Sequence, residues 1–382
     1  MDRSVAKPHT AEEALELVRQ ALGARTPLHL YSGRSKDRIG CQTEPGTPLD
    51  GSGLAGIVSY EPRELILVAR PGTPLSQVEK TLADENQHLP FEPPAWGPAA
   101  TLGGTVACNL SGPRRFKAGA LRDYVLGVEM VTGHGERVRA GGKVVKNVSG
   151  YDLSKVLSGS FGTLGLLTEI CLKVWPQPES NQTLVVRGLE PGPALNWIQQ
   201  LAGLPYEITG LAYTPVVGTQ ASRVVVRLEG SEAALKAQLA GLDVPTAGDQ
   251  EVLEGAASIA VWQSVREIGA SHLAAGEERW RFVLPSNKTA ALLEAVKPHQ
   301  PLRYWCDWAG GLLWMVFPSP ISASVLHQLA LEYDAVAWRI GTDADDLNTQ
   351  AFTPLAAGVD RLNKRLKEAF DPHGIFNPGR LG

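Results

Sequence analysis

The sequence predicts an α+β protein of two domains, and three observations carry that prediction. At 382 residues the chain exceeds the size at which one hydrophobic core usually stops growing. Between Gly97 and Gly165 lie 14 of its 40 glycines. After Trp175-Pro176-Gln177-Pro178 the texture changes to ordinary alternation of helices and strands.

Taken in order, the elements follow from local patterning. Thr10 with Glu13 forms a capping box, and Ala14, Leu15, Val18 and Leu22 give the first helix its apolar face. Residues 28–31 read as a strand that feeds Ser32-Gly33-Arg34-Ser35-Lys36, a small-residue turn with cations. A buried strand spans 65–69, and Pro74 opens a helix ending near Asn86. Segments 125–132 and 136–139 flank Gly133-His134-Gly135 as a hairpin. A short helix covers 152–157, and a strand covers 166–174 until the Trp-Pro-Gln-Pro run stops it. Beyond that run, strands are expected near 183–187, 222–228, 280–284 and 312–317, and helices near 194–201, 231–239, 256–268, 288–296 and 321–332. Strand-helix-strand-strand units repeat there weakly, which implies a sheet with helices on one face. A last helix, 355–370, precedes a rigid Pro/Gly/Asn-rich tail.

Glycine is costly in regular structure and is used where backbone must approach another surface. So dense a run, interleaved with Thr101, Asn109, Lys146, Tyr151 and Asp152, implies a backbone-lined groove for a long anionic ligand. Ser32 to Lys36 can wrap a diphosphate with consecutive amides, or be a solvated turn. Thr101-Leu102-Gly103-Gly104-Thr105 reads equally as a second pass along the ligand or as a helix start in tight contact. Gly159-Ser160-Phe161-Gly162-Thr163-Leu164-Gly165 closes a series of four turns for which a purely structural explanation is strained. Gly51-Ser52-Gly53-Leu54-Ala55-Gly56 satisfies a dinucleotide fingerprint, but Thr47-Pro48-Leu49-Asp50 precedes it and Glu61-Pro62 interrupts the segment after it, so it is set aside.

A net charge of −4 provides no basic field for nucleic acid or an anionic membrane. The four cysteines are too far apart for an iron–sulfur motif. No two of the eight histidines have metal-ligand spacing, so no metal is expected. The N-terminus lacks the apolar core of a signal peptide and no run approaches a spanning helix, which argues for a cytoplasmic location. Trp305, Trp308 and Trp314 read as core of the second domain, with a stacking surface over a ligand as the alternative. Arg114 and Arg115 are candidates to hold a substrate carboxylate or a partner's acidic patch.

The segments 101–112 (TLGGTVACNLSG) and 146–169 (KNVSGYDLSKVLSGSFGTLGLLTE) resemble the FAD-binding domain of the vanillyl-alcohol oxidase and p-cresol methylhydroxylase family. Residues 56–94, 111–136 and 370–381 (FDPHGIFNPGRL) extend the likeness to the FAD-binding E subunits of bacterial glycolate oxidases (glycolate dehydrogenases). The resemblance implies a two-subdomain FAD fold over 1–180, an α+β cap over 181–345, and a segment returning to the FAD domain over 346–382. It implies non-covalent FAD held by Ser32, Gly33, Arg34, Ser35 and Lys36 at the pyrophosphate. Thr101, Gly103, Gly104 and Asn109 match the second FAD segment. Gly159, Ser160, Gly162, Gly165 and Leu166 flank the nucleotide end, and Asn377 and Arg380 return in the tail. Lys146 and Arg380 are candidate cations near the flavin, and Tyr151 a candidate polar contact. The family's three-glycine pyrophosphate loop is reduced here to Gly33 alone, with Arg34 supplying charge instead. Partners implied are a catalytic flavin D subunit and an iron–sulfur F subunit, with a short 2-hydroxy acid such as glycolate as substrate. The missing histidine pairs allow a second role, a flavoprotein relay or scaffold that supports a separate catalytic subunit.

Overall fold

A computed structural model describes residues 5–41, 43, 45–142, 152–216, 220–246, 248–271, 273–274, 277–318, 321–341 and 350–381. Two antiparallel sheets organise them. The first has five strands in the order Ile57–Glu61, Ile66–Ala69, Leu166–Lys173, Val125–Val131 and Arg137–Gly141. Ile66-Leu67-Val68-Ala69 is an unbroken apolar run, and all four residues are buried, as such a run requires. Helices Leu75–Ala83 and Leu102–Cys108 pack on this sheet, sharing a core in which Leu75, Val78, Leu82 and Val106 meet Leu67, Ile170 and Leu172.

A smaller core joins the ends of the chain. Helix Ala11–Ala24, capped by Thr10, contributes Ala14 and Val18. The parallel strand pair Leu28–Tyr31 and Thr47–Asp50 adds Leu28 and Leu49, and the C-terminal tail adds Ile375 and Phe376. Leu28 N donates to Ile375 O at 2.6 Å and Asn377 N donates to Leu28 O at 3.0 Å, so the tail is stitched to the first strand.

The second sheet has eight strands, and its order reveals an internal repeat. Ser180–Arg187, helix Pro191–Ala202, Ile208–Thr214, Arg223–Gly230, helix Glu232–Ala240 and Asp249–Glu254 form one β-α-β-β-α-β unit. Glu277–Val283, helix Thr289–Val296, Arg303–Asp307, Leu312–Pro318, helix Ala323–Glu332 and Val336–Ile340 form another. Each unit has its fourth strand beside its first, then the third, then the second, and the two second strands meet where Tyr213 opposes Cys306. The helices cover one face, burying Trp197, Leu235, Leu292 and Leu326 against Val224, Val226, Trp280 and Phe282. The opposite face meets helix Gly255–Arg266 and the first domain.

Several expectations need correction. Four strands of the second sheet, Ile208–Thr214, Asp249–Glu254, Arg303–Asp307 and Val336–Ile340, escape the sequence reading. Trp175–Pro176 does not merely stop a strand, because it pairs with Gln87–His88. The helix after Pro74 ends at Ala83, and the last helix begins at Ala357. Thr47–Asp50 is a strand, although Gly51–Gly53 then forms a single 3-10 turn rather than the helix a dinucleotide fingerprint must open. Trp308 and Trp314 do not belong to the cap's own core. They form a separate cluster with Ile39, Cys108 and Phe161 of the first domain, against which Trp305 also packs.

Candidate functional site

A cavity of about 270 Å³ opens where the strand Leu28–Tyr31 ends. Its walls are the 32–37 loop, Thr101, Gly104, Ala107 and Cys108 of the neighbouring helix, Phe161, and Asn377 and Arg380 of the tail. A narrower recess of about 100 Å³ shares Tyr31, Ser32, Gly104, Phe161 and Asn377, and continues past Gly51, Pro71, Gly103, Gly162, Gly165 and Leu166. Together they make one groove. Asn377 staples its walls, because Oδ1 accepts from Leu30 N at 2.7 Å while Nδ2 donates to Phe161 O at 2.9 Å.

The 32–36 loop turns sharply. A Cβ on Gly33 would lie 1.4 Å from the Ala99 carbonyl oxygen, so only glycine fits. Arg34 takes a left-handed conformation at φ 53°, with its guanidinium 3.7 Å over the Tyr31 ring and 3.8 Å from Asp37. Among the described residues, the amides of Gly33, Arg34, Ser35 and Lys36 donate to no acceptor in the chain. Consecutive unpaired amides at a cavity wall suit an anion.

Of the groove's basic groups, Arg34 has Asp37 as its counter-charge, whereas Lys36 makes no ion pair among the described residues. The Lys36 ammonium is buried, and its hydrogen bonds go only to the neutral Ala95 O at 3.0 Å and Ser35 Oγ at 3.2 Å. Burial lowers its pKa, against smaller opposing effects of Cys108 and Glu267. Arg380 donates to Asp37 O at 2.8 Å and stays at the wall. Burial pushes the Cys108 thiol up to about 11, which keeps it protonated at neutral pH.

The groove glycines are not equivalent. A Cβ at Gly103 would meet Pro71 Cβ at 2.6 Å, and one at Gly165 would meet Met130 Cε at 2.1 Å. Gly162 has a φ of 68° and Asn377 Nδ2 at 2.9 Å from the Cβ position. These three satisfy the protein's own packing, contrary to the uniform ligand reading. Gly104 differs. Its Cβ position has only Thr101 Oγ1 nearby, at 3.3 Å, and it faces the cavity. Thr101 is both wall and helix cap, its side chain accepting from Gly104 N, so the two sequence readings of this segment hold together.

Other expected residues stand back from the walls. Asn109, at φ 49°, ends the helix and accepts from Arg122 N at 3.3 Å. Gly159 and Ser160 shape the turn behind Phe161 without lining the groove, Gly159 N donating to Val106 O. Lys146 and Tyr151 lie outside the described residues. Phe161, Cys108, Tyr31 and Pro71 join the walls without having been singled out as ligand contacts by sequence reasoning, and Gly51, first glycine of the fingerprint that was set aside, joins them. Phe161 had a signal, since it sits inside the Gly-Ser-Phe-Gly turn; Pro71 had none.

At the seam between domains a second uncompensated cation appears. Arg281 is 4% exposed, its guanidinium 4.6, 5.3 and 5.8 Å from the rings of Trp338, Trp308 and Trp314. It has no hydrogen bond or ion pair among the described residues, and burial followed by the nearby Arg115 pushes its pKa down to about 9. Arg115 lies 4.3 Å over Trp308, and Trp338 abuts Phe161 of the groove wall. Arg114 is committed elsewhere, with both terminal nitrogens on Glu229 at 2.7 and 2.9 Å. Arg227 grips Glu92 in the same way at 2.8 and 2.9 Å. Those pairs, with Arg266–Glu79, line a separate cavity of about 320 Å³ whose charges cancel.

Residues 3–141 match the family described as FAD binding domain. The chain is 37% identical to glycolate oxidase subunit GlcE of Escherichia coli K12 over 371 residues, covering 97% of each. It is 32% identical to glycolate oxidase subunit GlcD of Bacillus subtilis over 187 residues, 48% of this chain and 39% of that protein. A solved structure of alkyldihydroxyacetonephosphate synthase superposes with a TM-score of 0.70 at 16% identity, over 98% of this chain and 76% of that one. The fold is therefore the two-subdomain FAD-binding α+β type. Among the described residues, no helix is long and apolar enough to cross a membrane.

Proposed function

The chain belongs to the family of the glycolate oxidase subunit GlcE and carries an FAD binding domain, and from that premise we propose that it is the non-covalent FAD-binding subunit of a glycolate dehydrogenase complex. The observation that carries this reading is the row of unpaired amides from Gly33 to Lys36 beside Gly104, whose missing side chain the protein itself does not require. The amides, with Lys36 and Arg34, hold the diphosphate. The recess at Pro71, Gly162, Gly165 and Leu166 takes the nucleotide end, and the wider part at Cys108 and Phe161 takes the flavin. Residues 1–180, 181–345 and 346–382 then serve as FAD domain, cap and returning segment, in keeping with the two sheets.

When bound, the cofactor supplies the hydride acceptor for oxidation of a short 2-hydroxy acid at its α-carbon. Arg281, with Arg115, receives the substrate carboxylate, since a buried guanidinium without a counter-ion favours an incoming anion. Trp308, Trp314 and Trp338 keep water from that pair. Electrons then leave to an iron–sulfur F subunit, this chain having no cluster motif of its own.

A second reading, a relay or scaffold that serves a GlcD-like catalytic subunit, is favoured by one observation: the Cys108 thiol at the groove wall stays protonated, so it cannot take the substrate's hydroxyl proton. Anaerobic addition of glycolate separates the two. Bleaching of the flavin in this chain alone supports the dehydrogenase. Bleaching only after the D-type partner is added supports the relay. A chain that never carries flavin, even when co-expressed with its partners, overturns both.

A further inference from the structure

The lysine of the 32–36 loop is reached from the cap through a single peptide group. Residues 93–98 run Pro-Pro-Ala-Trp-Gly-Pro, a segment whose three prolines fix φ and carry no amide hydrogen. The segment backs the loop, and just beyond it stands the Ala99 carbonyl that leaves no room for a Cβ on Gly33. Two of its amides point at the cap. Ala95 N donates to Glu267 Oε1 at 3.0 Å and Trp96 N donates to Glu267 Oε2 at 2.9 Å. Glu267 follows helix Gly255–Arg266, in the stretch that joins the two β-α-β-β-α-β units.

The carbonyl of the same Ala95–Trp96 peptide accepts from Lys36 Nζ at 3.0 Å. One planar group therefore has a carboxylate on its N–H and an ammonium on its C=O, so its dipole is aligned with both charges. A buried ammonium is costly without a counter-charge, and Lys36 makes no direct ion pair among the described residues. Glu267 supplies negative charge across the peptide, where its field opposes the lowering of the Lys36 pKa by burial.

Holding that peptide in place is a strained arrangement. Trp96 sits at φ 55°, in the left-handed region that bulky side chains avoid. The cap fixes it twice, with Glu267 on its backbone and Gly269 under its ring, where a Cβ would lie 2.2 Å from Trp96 Cζ2. Trp314 meets the same ring edge-on at 5.9 Å. Glu267 is itself aimed by Arg266, whose Nε donates to Oε1 at 3.0 Å while a terminal nitrogen holds Glu79 of the first domain at 3.0 Å.

We propose that Glu267 is a positioning residue for the cofactor: through the Ala95–Trp96 peptide it holds Lys36 at the diphosphate loop, so that the cap completes a binding site belonging to the other domain. This rests on the reading above, in which the 32–36 loop holds the FAD diphosphate. Flavin affinity then becomes a property of both domains. A mere brace of the seam would loosen the cap without singling out Lys36, and a double-mutant cycle separates the two roles.

The test strips flavin from the full-length chain, titrates it back with FAD by flavin fluorescence, and compares wild type, E267Q, K36M and E267Q/K36M. Loss of one charge-assisted contact in E267Q should raise the dissociation constant about tenfold, and K36M should raise it at least as much. The double variant should match K36M to within about twofold, because both substitutions break one chain of contacts. Equal factors lost to E267Q in the wild-type and K36M backgrounds overturn the proposal and leave Glu267 a brace of the seam. Wild-type affinity in E267Q alongside weakened K36M also overturns it, while the loop reading stands. Wild-type affinity in K36M, or a wild-type chain that takes up no FAD, overturns the loop reading and this inference with it. Should E267Q not fold, E267D, which keeps the charge but draws it back from the two amides, takes its place in the cycle.

Discussion

At the scale of single residues, two glycines in one groove make opposite demands. Gly104→Val places a branched side chain where the chain leaves space, so folding should survive while flavin affinity falls at least tenfold, read as flavin absorbance per purified chain. Full flavin retention by that variant removes Gly104 from the site. Gly33→Ala should instead fail to fold, because its Cβ has no room beside the Ala99 carbonyl. Asp307 offers a pH prediction. Burial pushes its carboxyl up to about 7, aided by Glu92 and opposed by the amide of Trp308 and by Arg227. A carboxyl whose folded pKa is raised contributes stability that is complete below its unfolded value and is lost as pH rises through 7. Urea midpoints at pH 5 and pH 8 should therefore differ less in Asp307→Asn than in wild type, and an equal difference would discount this burial effect.

The elements differ in how plainly they announce themselves. Strands such as Ile66–Ala69 and Leu312–Pro318 are nearly continuous apolar runs, legible because both their faces are covered. Asp249–Glu254 is an edge strand with mostly exposed side chains, so its sequence DQEVLE carries no period-2 apolar signal. Arg303–Asp307 and Val336–Ile340 mix arginine, tryptophan and aspartate because one face looks onto the other domain rather than onto helices. The returning tail was legible as rigid, but its task was not. Asn377→Ala breaks both hydrogen bonds that join the first strand to the Phe161 turn and should cost about 1–3 kcal/mol of stability. Flavin dissociation should quicken in parallel; an unchanged dissociation constant would make the tail a structural brace only.

For the molecule as a whole, the seam between FAD domain and cap depends on charges largely removed from water. Burial alone would raise the Glu92 pKa, but Arg227, with Arg114 and Arg266 beyond it, holds it down at about 2. With the folded value depressed, the stability this carboxylate supplies is present above pH 4.5 and is lost as pH falls toward 2. Glu92→Gln removes the closer of Arg227's two counter-charges, leaving Glu229 at 4.0 Å, and should cost about 3 kcal/mol. Limited proteolysis near residues 176–180 reads this directly, faster cleavage of the variant marking a loosened seam, and wild-type resistance would assign the seam's strength to its aromatic cluster. By itself the amino-acid sequence determined the α+β class, the glycine-rich groove, its family and the loop at 32–36, because turns, caps and close backbone approach are dictated by neighbours in the chain. Only the tertiary structure decided that Gly104 is free while Gly103 and Gly165 are committed, that Arg114 is spent on Glu229 while Arg281 has no ion pair among the described residues, and that three tryptophans face a seam. Each of those depends on the groups lying opposite in space, contributed by distant stretches of the chain that no local pattern encodes.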